Sequence, residues 1–158
     1  MTTVADAFAR ARAADRAALI AYLPAGFPDH ATSVRLIEAM IDAGVDMVEV
    51  GIPYSDPLMD GPVICAAAEQ ALQQGTTTDD ALDVVAAVAG RGAAIVMMTY
   101  WNLIDRYGPR RFADRLAAAG GAGVITPDLT PEEGVDWVAA CDDRGLAHVF
   151  LAAPSSTD

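Results

Sequence analysis

The chain contains no lysine; all ten of its basic residues are arginine. Schiff-base catalysis needs a lysine amine, so these residues cannot supply one. Histidine is almost as scarce. His30 and His148 are too few and too far apart to build a metal cluster with the visible acids. The two cysteines, Cys65 and Cys141, lie in alanine-rich helical contexts and predict buried thiols in a reducing cytoplasm, not a disulfide framework. No apolar run approaches the roughly 20 residues of a membrane span. Neither a G-x-G-x-x-G turn nor a phosphate-binding P-loop is present, and no serine or cysteine sits in a nucleophile motif. The chemistry left open is general acid–base work by carboxylates.

Carboxylates are plentiful. Twenty-two acidic residues against ten basic ones give a net charge of −12 over 158 residues. A field of that sign repels phosphate backbones and argues against nucleic-acid binding. An anionic small substrate would need a local device, such as a helix N-terminus, to hold it. The N-terminal stretch TTVADAFARARAADRAAL is amphipathic and arginine-bearing, but Asp6 and Asp15 argue against a transit peptide and for a plain helix. The expected setting is cytoplasmic, and the length suits one domain over residues 1–158.

Five short apolar runs punctuate the chain: ALIAYL (18–23), DMVEVGI (46–52), AAIVMMTY (93–100), GVIT (123–126) and HVFLAA (148–153). They are apolar on both faces, as parallel strands buried between layers are. Helical patterns lie between them, over 31–43, 62–74, from Thr78 to near Gly90, and over 109–119. Thr130-Pro131-Glu132-Glu133 reads as a capping box that opens a further helix, running to about Arg144. Alternation of this kind means an α/β protein with a parallel sheet and right-handed crossovers. Two architectures fit: a doubly wound open sheet, or a (β/α)8 barrel of which about five units are present.

In either architecture, ligands bind at the C-terminal ends of the strands. Glu49 lies inside the second apolar run, where an unpaired carboxylate costs several kcal/mol or is pushed toward neutrality. It is either a structural acid paired with a buried arginine or hydroxyl, or a working group. The following segment, IPYSDPLMDGP, has three prolines in eleven residues and reads as a stiff loop folded back over the strand ends. Asp56 and Asp60 read there as turn or N-cap acids as readily as functional ones. Tyr100 ends the third run, Asn102 follows it, and Asp128 follows the fourth. At such positions an aromatic is commonly core and an aspartate commonly a loop acid.

GIPYSDPLMDGP resembles the signature of the tryptophan synthase α-subunit family, G-I/V-P-F/Y-S-D-P-L-A-D-G-P. AYLPAGFP, MMTYWN, PDLTPEE and VFLAAPSSTD resemble further family segments in the family's order, so the likeness spans essentially the whole chain. Met59 stands where alanine is usual, and Val63 and Cys65 where threonine and glutamine are common. The resemblance implies a (β/α)8 TIM barrel that cleaves indole-3-glycerol phosphate to indole and glyceraldehyde 3-phosphate by a retro-aldol reaction. It implies Glu49 as general acid/base and Asp60 as the carboxylate that handles the indole N–H, with Tyr22 and Tyr100 near the substrate. It places Asp56, Pro57, Asn102 and Asp128 toward a partner, the pyridoxal-phosphate-bearing β subunit of an α2β2 complex, and implies no cofactor in this chain.

The chemistry is consistent with that implication. Without a lysine iminium or a metal enolate, the indole ring can take up the departing electrons once its C3 is protonated. The barrel reading also carries an expectation about length. A barrel needs about 250 residues and usually binds phosphate with loops after strands seven and eight, whereas five strands are visible here. A chain of five units is expected to be weakly active or inactive alone. The other reading is a truncated, non-catalytic α-type chain that keeps only partner-interaction loops.

Overall fold

The computed structural model of the chain describes residues 2–154 and 156. Helix α1, Val4–Ala13, starts in a capping box: the Thr3 hydroxyl accepts from the Asp6 amide at 3.0 Å, and the Asp6 carboxylate accepts from the Thr3 amide at 3.1 Å. Strand β1, Ile20–Pro24, leads into α2, His30–Asp42, whose N-terminus is closed by Asp29 accepting from the Thr32 amide at 2.8 Å. After β2, Met47–Gly51, come two helices, α3, Pro62–Gln73, and α4, Thr78–Val88. Then follow β3, Ala94–Met98; α5, Trp101–Tyr107; α6, Pro109–Ala118; β4, Gly123–Ile125; α7, Val135–Asp142; and β5, Ala147–Val149.

All five strands are parallel and neighbour one another in sequence order, β1-β2-β3-β4-β5. A doubly wound sheet reverses its strand order at a switch point. This sheet never reverses, so the open-sheet alternative is set aside in favour of the barrel order. The register separates two faces. Val48, Val50, Ile95, Met97 and Val124 face outward into one buried cluster with Ile37 of α2, Leu82 and Val85 of α4, Phe112 and Leu116 of α6, and Trp137 of α7. Met47, Ala94 and Val96 face the other way, against Ala7 of α1. Helix α1 therefore plugs the N-terminal end of the inner face and leaves its C-terminal end to other residues.

One ion pair ties this plug to the sheet. Asp46, immediately before β2 and only 4% exposed, accepts from both terminal nitrogens of Arg16, at 2.6 and 2.7 Å, and from the Leu19 amide at 2.9 Å. The bidentate geometry fixes the α1–β1 link against the start of β2.

The sequence pattern and the structure part company in three places. The box at Thr130 closes only one turn: Glu133 donates its amide to the Thr130 hydroxyl at 3.4 Å, but α7 begins after Gly134. Glycine is a poor helix residue, and here it separates the turn from the helix. Helix α5 has no counterpart among the expected helices, because it is short and follows β3 with only two residues between. Cys141 is buried as expected, whereas Cys65 is partly exposed because the first turn of α3 lies at the rim.

Replacing Asp46 by asparagine is expected to lower stability in urea unfolding at pH 7. The hydrogen bonds from Arg16 and then from Leu19 hold the Asp46 carboxyl well below the usual carboxylate range. Its contribution is therefore full above the unfolded value of about 3.9 and is lost as pH falls through the folded one. The gap between the parent chain and Asp46→Asn should accordingly narrow below about pH 4.

Candidate active site

Glu49 sits on the inner face of β2, two residues above Met47, which α1 covers. Its carboxylate is half-buried and forms no hydrogen bond or ion pair among the described residues. Burial alone pushes its pKa upward. The paired cation or hydroxyl that a structural acid would have is not found among the described residues. Directly across the ladder, Tyr22 of β1 is in register with Glu49. Its phenol lies over Gly51, where an added Cβ would collide with the Tyr22 hydroxyl. Glycine at the end of β2 is thus what lets the ring lie across the strand. The Tyr22 phenol is held far above its ordinary pKa, first by burial and then by the charges of Asp60 and Glu49.

The loop after β2 carries the second acid. The Met59 amide donates to the Tyr100 hydroxyl at 3.1 Å, and the rings of Tyr54 and Tyr100 pack with centroids 5.2 Å apart. Tyr100 itself is only 2% exposed, so it is a buried post on which the loop rests. Asp60 follows Met59. Its carboxylate is half-buried and without a partner among the described residues, and burial raises its pKa too. The sequence pattern allowed Asp60 to be a turn or N-cap acid, but α3 has no side-chain cap; its N-cap is Gly61 and its first residue Pro62. An apolar cavity of about 670 Å³ runs between β1 and α3, lined by Tyr22, Leu23, Phe27, Pro62, Val63 and Ala67 but by neither acid.

The remaining candidates fall on the outer side of the same rim. Asp56 and Asn102 line one groove of about 470 Å³, with Tyr54, Arg106 and Tyr107. Asn102 donates to the Tyr54 hydroxyl at 3.2 Å, and Asp56 accepts from Ser55 at 2.6 Å. Pro57 follows Asp56 in the stiff loop. Asp128 does something else: both its oxygens accept from the Trp101 amide, at 2.9 and 3.0 Å, closing the N-terminus of α5. Three residues that sequence reasoning passed over matter here, Gly51, Arg16 and Asp46. A glycine directly after a run of strand residues was the available signal for Gly51. Arg16–Asp46 gave none, because the two lie thirty residues apart.

Five parallel strands in barrel order, with two carboxylates near their C-terminal ends that have no partner among the described residues, define part of a (β/α)8 barrel. A family model described as tryptophan synthase alpha chain matches residues 8–158. The tryptophan synthase alpha chain of Thermobifida fusca is 57% identical over all 158 residues, and that of Acidothermus cellulolyticus 54%. The chain spans 58% and 59% of those relatives' lengths. Tryptophan synthase from M. tuberculosis, in an aminoacrylate-bound form, superposes with a TM-score of 0.94 at 51% identity, covering 97% of this chain and 62% of that one. Tryptophan synthase subunit alpha from Legionella pneumophila gives 0.93 at 32% identity, covering 99% and 61%. The chain belongs to the tryptophan synthase alpha chain family.

Because burial disfavours the ionised form of Glu49, folding costs more once pH rises from the unfolded value through the folded one. Glu49→Gln is therefore expected to stabilise the chain at pH 8 and to have little effect at pH 4. Thermal unfolding of both proteins at the two pH values checks this.

Proposed function

We propose that this chain is a lyase that performs the retro-aldol cleavage of indole-3-glycerol phosphate to indole and glyceraldehyde 3-phosphate, a step of L-tryptophan biosynthesis. The observation that carries the reading is the pair of half-buried, partnerless carboxylates, Glu49 and Asp60, set around Tyr22. Their raised proton affinity suits acid–base work near neutral pH.

Glu49 in its acid form gives a proton to indole C3. Asp60 as the carboxylate accepts from the ring N–H and stabilises the positive charge that develops there. The carboxylate left on Glu49 then takes the proton of the hydroxyl next to the scissile bond. The carbon–carbon bond breaks, its electrons return to the ring, and the aldehyde forms, leaving both acids as they began. Tyr22 and the apolar wall beside it receive the indole, and Tyr100 holds the loop that carries Asp60.

Residues 1–158 act as one cytoplasmic domain that needs no cofactor of its own. The partner is a β subunit carrying pyridoxal phosphate in an α2β2 assembly. It docks at the groove of Asp56 and Asn102, with Pro57 and Asp128 on its border.

Indole release by the chain, assayed with the β subunit present, tests the reaction. Glu49→Gln should lower turnover by about 10²–10⁴-fold, and Asp60→Asn should lower it at least roughly tenfold. Unchanged turnover in both variants would sink the assignment of the two acids. Binding of the β subunit without any indole release would favour the non-catalytic interaction chain.

A further inference from the structure

The loop that carries Asp60 is lightly held. Residues 55–60 form neither helix nor strand, and the apolar side chains of Leu58, Met59 and Val63 at this rim all stand exposed. Side-chain burial does little to fix such a segment, so single hydrogen bonds decide where it lies. Two neighbouring residues supply them. The Met59 amide donates to the Tyr100 hydroxyl at 3.1 Å, and the Asp60 carbonyl accepts from the Cys65 thiol at 3.4 Å. The second bond arises from the way α3 begins. That helix has no side-chain cap, with Gly61 as its N-cap and Pro62 as its first residue. The Asp60 carbonyl lies one residue before the cap and therefore outside the helical ladder. Cys65 reaches both groups: its amide donates to the Gly61 carbonyl at 2.9 Å and its thiol to the carbonyl of Asp60. Holding the peptide group that follows Asp60 restricts the direction in which the Asp60 side chain leaves the backbone.

We propose that Cys65 is a positioning residue: its thiol holds the main chain of Asp60, so that the Asp60 carboxylate stays half-buried at the strand ends instead of swinging into solvent. The inference rests on the role given to Asp60 above. It also gives a use to one of the departures from the family signature, since Cys65 stands where glutamine is common. A thiol is a weak donor, so its loss costs the reaction a factor of a few and does not abolish it.

The test compares the parent chain with Cys65→Ala, which removes the donor, and Cys65→Ser, which keeps one. The infrared difference between the parent and Cys65→Ala isolates the Cys65 S–H stretch, because Cys141 is common to both; the band should lie below the frequency of a free thiol. Burial raises the Asp60 pKa, so a loosened Asp60 should titrate lower in carbon-13 spectra of Cys65→Ala, back toward an ordinary carboxylate. In the assay with the β subunit, kcat of Cys65→Ala should fall roughly three- to fivefold with KM within about twofold, and Cys65→Ser should stay near the parent. A Cys65 band at the free-thiol frequency overturns the proposal. So does an alanine variant with unchanged kcat and Asp60 midpoint, or a serine variant as impaired as the alanine one. A parent chain without indole release would overturn the proposed reaction instead, and the infrared band and the titration would still decide the role of Cys65.

Discussion

The constraint around which the rest of the structure is arranged is a carboxylate placed on the inner face of a buried strand with no cation beside it. Ion pairs are plentiful elsewhere: Asp46 has Arg16, Asp114 has Arg144, and Glu38 has Arg91. Glu49 has none. Taking a charge out of water without a partner costs several kcal/mol, and the group responds by holding its proton more tightly. Such a position persists only where neighbouring structure holds the strand in place regardless.

That support comes from the other face of the same strand. Val48 and Val50, the residues flanking Glu49, are fully buried in the outer cluster with Ile37, Leu82 and Val85. Because side chains alternate along a strand, a one-residue slip would turn Glu49 into that cluster and the valines inward. The apolar packing that stabilises the sheet thus also fixes where the acid points. Helix α1 finishes the arrangement from below with small residues, Ala7 against Ala94 and Met47. The ion pair at Asp46 keeps that helix attached to the strand that bears the acid.

Much of this was legible in the sequence because it depends on local pattern. All five apolar runs hold strand residues, although of the run 148–153 only His148 and Val149 fall within β5. Pro62, Thr78 and Pro109 do open helices, since apolar continuity, first-turn proline and N-caps act over a few residues. The choice between sheet and barrel was not legible in the local pattern and came from the family resemblance, because strand order is set by contacts between distant segments. At the site, Glu49 announced itself as an acid in an apolar run, and the resemblance to a known loop singled out Asp60. That the Tyr22 ring lies over Gly51, and that Tyr100 is a post under the loop, depend on register and side-chain direction. The Thr130 box shows the opposite limit, a strong local signal stopped after one turn by a neighbouring glycine.

The net charge of −12 bears on how the acids work. A negative field favours protonated carboxyls, so the whole-molecule charge is one candidate cause of the raised affinity of Glu49. Magnitudes decide against it. At physiological salt, fields decay over about 8 Å, so scattered surface acids contribute little to a half-buried site. The raised affinity of Glu49 has burial as its cause. Where acids do act at short range, they fill helix ends: Asp29, Asp80 and Asp128 each accept from N-terminal amides, of α2, α4 and α5. Those amides are the groups that would otherwise draw a substrate's phosphate. The rim formed by β1 to β4 is therefore built around the acid–base end of its proposed substrate, with three of its helix N-termini already occupied by the protein's own carboxylates.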